Sequence, residues 1–366
     1  MSYIALARKW RPKTFSEMVG QSHVLKALTN ALDRDQVHHA FLFSGTRGVG
    51  KTTVARILAK SLNCELGVSS IPCGQCDACR EVDEGRFADL IEVDAASQTQ
   101  VENIRSLLDN VQYAPTRGRY KVYLIDEVHM LSKHAFNALL KTLEEPPPHV
   151  VFLLATTDPQ KLPITVRSRC LQFSLKRLSV ALIKSRLEFI AQAESFKASP
   201  AALLLLAHAA DGSMRDALSL LDQLLAFSGE ELTEERTRAM LGTIDQNQVE
   251  RIVRALGAHD GVRLLKEVEH LDEDAPDYDA VLATFLALLQ RIAIAQVVPG
   301  HIEEAGSESA AVADLAQAMS ASDVQLYYQI ALNGRADLPA SPSPKMGFEM
   351  TLLRMLAFRP ESAEAA

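Results

Sequence analysis

A glycine-rich octapeptide near the N-terminus sets the strongest limit on how this chain can fold. Residues 45–52 read Gly-Thr-Arg-Gly-Val-Gly-Lys-Thr and match the phosphate-binding pattern G-x-x-x-x-G-K-[ST]. An apolar run at residues 41–44 precedes this segment, and apolar residues at helical spacing follow it in residues 52–62. A strand, a turn and a helix in this order wrap backbone N–H groups around a phosphate. The segment therefore predicts an α/β fold that binds a nucleotide.

The end of the octapeptide carries the predicted phosphate chemistry. Lys51 is expected to reach the β- and γ-phosphate oxygens of ATP, and Thr52 to supply a hydroxyl ligand for Mg²⁺. The N-terminus of the following helix adds positive potential. The predicted nucleotide contacts in this region are Gly45, Thr46, Arg47, Gly48, Val49, Gly50, Lys51, Thr52 and Thr53.

Two carboxylates follow the apolar strand predicted at residues 122–125. A P-loop enzyme that hydrolyses its nucleotide needs acids at this place, and we expect Asp126 to hold Mg²⁺ through its water shell. Glu127 would polarise the attacking water as a general base. The alternative is a pair of solvated turn residues. His129 is interpreted as a packing or capping residue.

Small polar residues follow the next strand, predicted at residues 150–155. Thr156 and Thr157 precede Asp158 and Pro159, so either threonine could orient water near the γ-phosphate. The alternative for each threonine is a cap of the turn before Pro159.

Short apolar runs alternate with helical patterns in the first half of the chain. The predicted strands cover residues 41–44, 90–94, 122–126, 150–156 and 171–173. This alternation is typical of a parallel sheet with helices on both faces and functional groups at the carboxyl ends of the strands. After residue 178 the chain is rich in Leu and Ala at helical period, apart from a loop-like stretch near residues 300–309. We predict an α/β domain at 1–178, a small helical domain at 179–242 and an all-α domain at 243–366.

Composition and charge limit the possible partners. No run approaches the roughly 18 apolar residues that a membrane helix needs. The N-terminus also lacks the order of a secretory signal, so we expect a cytoplasmic protein with no membrane partner. The formal net charge is −8, but residues 1–177 carry a positive balance. Any polyanion contact therefore belongs to this half, with a merely solvated surface as the alternative.

Four of the five cysteines form a cluster with the spacing C-x8-C-x2-C-x2-C. These four, Cys64, Cys73, Cys76 and Cys79, lie between the predicted P-loop helix and the next strand. In a reducing compartment the pattern favours metal binding over disulfides, and four thiolates suit a structural Zn²⁺. An iron–sulfur cluster is the alternative. Cys170 is interpreted as a packed or strand-edge thiol.

Further segments connect these motifs to a known family. They lie at residues 6–12, 15–21, 38–40, 326–329 and 350–353, and so span nearly the whole chain. In these residues the chain resembles the tau/gamma ATPase subunits of bacterial DNA polymerase III clamp loaders, within the AAA+ superfamily. The resemblance implies a P-loop AAA+ domain, then a helical lid domain, then a collar domain that holds subunits in a ring, with the bounds given above.

The same resemblance implies residues that surround the base. Residues 10–12 and 19–21 would frame the adenine, so that Arg11, Val19 and Gly20 would contact the nucleotide. Without the family, residues 8–11 would be interpreted as an N-terminal basic arm.

Three more roles follow from the resemblance. Thr157 would be the first sensor of the γ-phosphate, with Thr156 as the reserve. Arg215 would be the second sensor and would link the nucleotide state to the angle of the lid. Arg169 would act on the ATP of a neighbouring subunit, where a guanidinium stabilises the charge of the phosphoryl transition state. The alternative for Arg169 is a surface arginine beside a strand.

The resemblance also implies partners. The expected assembly is a hetero-pentamer of the delta and delta-prime subunits with further copies of this chain, loading the sliding clamp onto primed double-stranded DNA. A helix with Gln98, Asn103 and Arg105 is the candidate DNA contact. Longer members of the family continue into segments that bind the helicase and the polymerase, and such attachment is not assumed for a chain that stops at Ala366.

Two other functions fit parts of the sequence. A DNA-translocating AAA+ helicase, such as a branch-migration motor, would share the ATP site, but it does not explain the cysteine cluster. A non-hydrolysing scaffold subunit would resemble a motor without turning over ATP. The residues that argue against a scaffold are Lys51, Thr52, Asp126, Glu127 and Arg169.

Overall fold

The computed structural model of the chain describes residues 5–97, 111–229, 231–241, 246–273, 276–298 and 306–358. The chain divides into two compact units, Met1–Thr237 and Arg238–Ala366. The octapeptide, the acidic pair and the cysteine cluster all belong to the first unit.

A five-stranded parallel sheet forms the centre of the first unit. Its strands are β1 (Ala40–Ser44), β2 (Leu90–Asp94), β3 (Lys121–Asp126), β4 (Val150–Thr156) and β5 (Leu171–Ser174). Each strand lies within one residue of its predicted bounds. The prediction of a parallel α/β sheet is therefore confirmed.

Helices cover both faces of this sheet because its strands are apolar on both sides. They are α1 (Leu6–Lys9), α2 (Ser22–Asp33), α3 (Lys51–Asn63), α4 (Asp77–Glu84), α5 (Lys133–Glu144) and α6 (Ile164–Arg167). All residues of β4 are buried. One core contains Leu28 of α2 and Leu58 of α3, and the other contains Leu139 of α5.

The strand order β2-β3-β4-β1-β5 decides which chain segments meet. β4 lies between β1 and β3, so the carboxyl ends of these three strands are side by side. In the register, Ser44 of β1 pairs with Thr156 of β4, and Asp94 of β2 pairs with Asp126 of β3. The octapeptide, the acidic pair and the two threonines therefore share one edge of the sheet.

The helical part of the first unit follows β5. It contains α7 (Val180–Ala193), α8 (Pro200–Ala209), α9 (Met214–Ser228), the start of α10 (Glu234–Leu241) and the short parallel pair β6 (Lys197–Ala198) and β7 (Glu231–Leu232). Serine caps the N-terminus of α7, α8 and α9, at Ser179, Ser199 and Ser213. Each hydroxyl accepts a hydrogen bond from a backbone N–H group of the first turn, which typically stabilises a helix by about 1 kcal/mol.

The described part of the second unit is helical. It contains α11 (Gln246–Gly257), α12 (Gly261–Asp272), α13 (Tyr278–Val297), α14 (Gly306–Ala318), α15 (Ala321–Asp337) and α16 (Pro344–Ala357). The prediction of an all-α region is confirmed. The expected loop near residues 300–309 is wrong in part, because α14 already begins at Gly306. Residues 299–305 lie outside the described residues.

Among the described residues, one helix, α13, is long and apolar enough to cross a membrane by length and composition alone. Val281, Phe285, Leu289 and Ile292 of this helix are fully buried in the core of the second unit. These four residues form one buried face of the helix, while Ile294 and Val297 near its end are exposed.

Asp89, directly before β2, fixes the loop at residues 116–118. Its side chain is 1% exposed, and Oδ1 accepts a hydrogen bond from the Thr116 N–H group at 2.6 Å. Oδ2 accepts from the N–H groups of Arg117 at 2.8 Å and Gly118 at 2.7 Å. Burial acts to raise the pKa of Asp89, but these hydrogen bonds outweigh it and hold the pKa below its usual value.

Asp89→Asn is expected to destabilise the first unit by roughly 2 kcal/mol, since an amide would direct N–H groups at backbone donors that now bind a charged acceptor. Because the pKa is lower in the folded protein, the carboxylate contributes fully above about pH 4, and this contribution is lost as the pH falls through the folded pKa. Urea denaturation should give a constant difference from wild type between about pH 5 and pH 8, shrinking below about pH 4. The exposed Asp35→Asn is the control; a difference that grows in acid would contradict the assignment.

Candidate nucleotide site and cysteine cluster

The octapeptide forms the loop between β1 and α3. Gly48 and Gly50 have φ angles of 75° and 105°, in the left-handed region that favours glycine. Gly50 is the residue before α3, so the loop presents a helix N-terminus at the carboxyl end of β1. The other predicted contacts vary in burial: Thr46 and Arg47 are exposed, Thr53 is half-buried and Val49 belongs to the hydrophobic core.

Lys51 lies against this loop and is 6% exposed. Its Nζ donates hydrogen bonds to the carbonyl oxygens of Gly45 at 2.9 Å and Thr46 at 3.1 Å. Burial lowers the pKa of Lys51, while the carboxylates of Glu127 and Asp126 act to raise it. The loop thus holds an ammonium group where a polyphosphate chain would need a cation.

Thr52 and Asp126, the two predicted magnesium ligands, are in direct contact. The Thr52 hydroxyl donates to Asp126 Oδ2 at 2.9 Å. Asp126 Oδ1 in turn accepts from the N–H group of Glu127 at 3.0 Å. These bonds link α3 to the end of β3 and hold a hydroxyl and a carboxylate together, which are the oxygen ligands that Mg²⁺ prefers.

Glu127 has a φ of 47°, a left-handed conformation that is uncommon outside glycine. Its Oε2 accepts from the N–H group of Thr157 at 3.0 Å and from the Thr157 hydroxyl at 2.9 Å. His129 Nδ1 lies 3.3 Å from the same oxygen and 2.9 Å from the hydroxyl of the buried Thr156. The interpretation of His129 as a packing or capping residue did not anticipate these contacts, because no local pattern indicates the left-handed backbone at Glu127.

Ser213 and Arg215, at the start of α9, lie on the octapeptide. A Cβ atom built on Gly48 would lie 1.8 Å from Ser213 Oγ and 3.3 Å from Arg215 Cβ. Only a residue without a side chain allows this approach. The structure therefore brings the predicted second sensor next to the phosphate loop, whereas the role of Ser213 had no signal in the sequence.

Arg11 is partly buried near charged side chains of α3 and α9. Burial lowers its pKa, and the positive charges of Arg56 on α3 and Arg215 on α9 add to this effect, opposed by the carboxylate of Glu92. Three cations so close together repel each other and would favour an anionic ligand. The segment that follows Arg11 also reaches the loop, since a Cβ atom on Gly50 would lie 3.0 Å from Met18 Cε.

Val19 and Gly20, the other two predicted base contacts, follow Met18. Val19 is half-buried. Gly20 has a φ of 71°, and a Cβ atom there would lie 2.7 Å from Leu178 Cδ2. Gly20 therefore permits close packing against the segment that leads into α7.

Arg169 lies at the opposite edge of the sheet. It lies two residues before β5. With His38 and His39, which precede β1, it lines a cavity of about 570 Å³ at the amino ends of the strands. Its guanidinium donates to the carbonyl oxygen of Thr165 at 2.9 Å and to Glu144 Oε1 at 2.9 Å. The fold thus separates Arg169 from the octapeptide of its own chain.

The four clustered cysteines meet at the start of α4. Their sulfur atoms all lie within 4.8 Å of one another, and the sulfurs of Cys73 and Cys79 are 3.9 Å apart. Tetrahedral zinc with bonds of about 2.3 Å separates its sulfur ligands by roughly 3.8 Å. Among the described residues this is the group of side chains arranged to hold a metal ion.

Backbone amides surround these sulfur atoms. The N–H groups of Gln75 and Cys76 point at Cys73 Sγ at 3.4 Å and 3.3 Å, and they lower the pKa of Cys73 to about 6. Burial raises the pKa of Cys79. A cation would remove that cost, because a metal-bound thiol is deprotonated. The lone Cys170 packs on the second core of the sheet, and burial raises its pKa to about 11.

The candidate DNA contacts cannot be placed in the same way. Gln98, Asn103 and Arg105 lie outside the described residues, which end at Ser97 and resume at Val111.

Family models match three consecutive parts of the chain. "DNA polymerase III, delta subunit" matches residues 20–179. "DNA polymerase III clamp loader subunit, ATPase lid domain" matches residues 182–230, and "DNA polymerase III subunits gamma and tau domain III" matches residues 232–365.

Individual proteins are similar over nearly the whole chain. DNA polymerase III subunit tau of Escherichia coli is 56% identical over 98% of this chain and 56% of its own length. DNA polymerase III subunit gamma of Buchnera aphidicola subsp. Schizaphis graminum is 44% identical over 97% of this chain and 99% of its own length. The chain spans about half the length of the tau relatives. Among solved structures, the Thermotoga maritima RuvB branch migration motor is 22% identical with a TM-score of 0.48, over 68% of this chain and 79% of that chain.

Gly48→Ala is expected to destabilise the first unit by about 1–3 kcal/mol, because the new methyl group collides with Ser213. Ser213→Gly in the same chain should restore part of the loss, since glycine at a helix N-cap costs only a few tenths of a kcal/mol. A double-mutant cycle from urea denaturation measures this coupling. Gly85→Ala is the matched control, with a φ of 77° but its nearest neighbour at 3.9 Å. Equal losses in the two alanine variants would refute the collision.

Proposed function

The chain belongs to the gamma/tau family of DNA polymerase III subunits, and we propose that it is an ATP-hydrolysing motor subunit of a clamp loader. In this proposal it opens the sliding clamp and loads it onto primed double-stranded DNA during replication. The observation that carries the proposal is the meeting of Lys51, the Thr52–Asp126 pair and Glu127 at one sheet edge, with Arg169 at the other.

Each residue at the carboxyl edge has a task in phosphoryl transfer. Lys51 binds the β- and γ-phosphate oxygens, and the glycine-rich backbone cradles them. Thr52 and Asp126 would hold Mg²⁺, and the ion would neutralise charge on the phosphates. Glu127 accepts a proton from the attacking water, and Thr157, bonded to it at 2.9 Å, orients the carboxylate and senses the γ-phosphate.

Arg169 completes a neighbouring site rather than its own. The five residues of β1 span roughly 16 Å, at about 3.3 Å per residue, and they separate the amino edge from the carboxyl edge. A guanidinium at the amino edge can therefore reach a phosphate only on another subunit. This supports a ring in which each copy of the chain places its Arg169 at the ATP site of the neighbouring copy.

Arg215 connects the site to the helical part of the first unit. Its backbone position beside Gly48 lets the guanidinium meet the γ-phosphate of the same chain. We propose that residues 179–242 act as a lid on an ATPase domain at 1–178, and that residues 243–366 form the collar. Nucleotide then changes the angle of the lid.

A structural zinc ion belongs to the same proposal. The four sulfur atoms within 4.8 Å of one another and the N–H groups directed at Cys73 support four thiolate ligands. With all four positions taken by protein, the ion would stabilise the insertion between α3 and β2 and take no part in hydrolysis.

The proposed partners are the delta and delta-prime subunits, further copies of this chain, the sliding clamp and DNA, all in the cytoplasm. The contact of Arg105 with the DNA backbone stays a prediction. A DNA-translocating helicase or a scaffold that does not hydrolyse ATP fits less well, because family membership and the intact acidic pair both favour a clamp-loader motor.

Steady-state ATPase activity of the complex reconstituted with delta and delta-prime tests the motor. Sliding clamp and primed DNA should stimulate the rate, and Lys51→Ala should abolish it because the phosphates lose their cation. Arg169→Ala should lower the stimulated rate by roughly 10³-fold while ATP binding persists. The exposed Arg34→Ala is the control. If clamp and DNA do not stimulate the rate, the clamp-loading proposal is wrong, and the chain is an ATPase with another role.

Zinc content tests the cysteine cluster. Purified wild type should carry about one zinc per chain, and Cys79→Ser should lose most of it and unfold at a lower temperature, because metal binding contributes folding free energy. Mass spectrometry of the intact folded protein measures the metal. Cys170→Ser should keep the full content. Iron and an absorbance band in the visible range would instead indicate an iron–sulfur cluster.

A further inference from the structure

Glu194, the residue after α7, binds the N-terminal segment through both oxygens of its carboxylate. Oε1 accepts from Trp10 Nε1 at 2.8 Å, and Oε2 accepts from Lys9 Nζ at 2.6 Å. Lys9 first, and then Trp10, hold the pKa of this carboxyl below its usual range, so it is ionised at neutral pH. We call Lys9, Trp10 and Glu194 the Trp10 anchor. Trp10 belongs to the segment predicted to frame the adenine and Lys9 directly precedes it, whereas Glu194 belongs to none of the motifs described above.

Other contacts fix the same segment to the helical part of the unit. The Trp10 ring packs edge-on against Phe189 of α7, with centroids 5.8 Å apart. Arg186 lies over both rings, at 5.9 Å from Trp10 and 5.0 Å from Phe189. The N–H group of Leu6 donates to Asp222 of α9 at 2.9 Å. The N-terminal segment is thus bound to α7 and α9, about 180 residues or more away in the chain.

The residues after the anchor run towards the phosphate loop, where a Cβ atom on Gly50 would lie 3.0 Å from Met18 Cε. Arg11 is close enough to Arg56 of α3 and Arg215 of α9 for both charges to lower its pKa, after the larger effect of burial. One end of this short segment therefore lies on α7, and the other lies beside the octapeptide.

We propose that Glu194 is a positioning residue for nucleotide binding, which fixes Arg11 beside the phosphate loop and couples occupation of the site to the position of α7. This inference rests on the proposed function and extends it. Besides Arg215, the Trp10 anchor is a second connection between the nucleotide site and the helical part of the first unit. Because coupling is reciprocal, a nucleotide that binds Arg11 also holds α7, and loss of the anchor weakens the nucleotide. Glu194 need not touch the ligand.

Trp10 makes the test direct, because it is the single tryptophan of the chain. Calorimetry would give the Kd of Mg²⁺ with a non-hydrolysable ATP analogue, and Trp10 emission would be followed in the same titration. Glu194→Ala should weaken binding about tenfold, the effect of losing a hydrogen bond to a charged group. Glu194→Gln keeps an acceptor for Trp10 and loses only the charge opposite Lys9, so about threefold is expected.

Glu188→Ala is the matched control, since Glu188 lies on the same helix and pairs with Lys184, one turn away, at 3.5 Å. It should leave both the Kd and the response of Trp10 to nucleotide unchanged. A merely structural role would lower the unfolding temperature of Glu194→Ala without nucleotide and leave its Kd as in wild type, and this result would overturn the inference alone. Trp10 emission that is unchanged when wild type binds nucleotide would also overturn it. If the wild-type protein does not bind the ATP analogue, the proposed function is wrong as well.

Discussion

Parallel pairing of β1, β4 and β3 is the constraint on which the candidate site depends. The octapeptide, the threonines and the acidic pair are far apart in the chain, and each contributes one loop at the end of one strand. The register that pairs Ser44 with Thr156 places these loops side by side at the carboxyl edge of the sheet. The bond from Thr52 to Asp126 then closes the arrangement between α3 and β3. Any slip of a strand would separate the lysine from the carboxylates, because functional groups of parallel sheets gather only at the carboxyl ends.

The helical part of the first unit contacts the sheet domain at sites with different chemistry. At Gly48 the contact depends on the absence of a side chain, since Ser213 occupies the space of a Cβ atom. At Glu194 it depends on a carboxylate that binds an indole and an ammonium group. A steric contact is sensitive to the conformation of the loop, whereas a charged hydrogen bond stabilises one position of the N-terminal segment. Together they give the loop and the segment around Arg11 a common partner, which is what a nucleotide-dependent movement of a lid requires.

Particular residues mark how far sequence reasoning reaches. Strand bounds were predicted to within one residue because the apolar runs are short and end in glycine or polar residues. The contact of His129 with Glu127 was missed, since it depends on a left-handed backbone at Glu127 that no local pattern indicates. The partner of Arg169 was equally hidden, because Glu144 approaches it only after α5 and β5 have packed. The start of α14 at Gly306 was missed because its composition is typical of loops.

The sequence by itself determined the phosphate loop, the parallel sheet, the acidic pair, the four-cysteine cluster and the family. These features are local: each motif lies within a few residues, and the spacing of apolar positions repeats with the period of its own helix or strand. Only the tertiary structure decided that Ser213 lies on Gly48, that Trp10 is bound to Glu194 and that Arg169 faces away from its own phosphate loop. Contacts between residues about 160 or more positions apart depend on strand order and on how the helices pack. No short segment of the chain determines either of these.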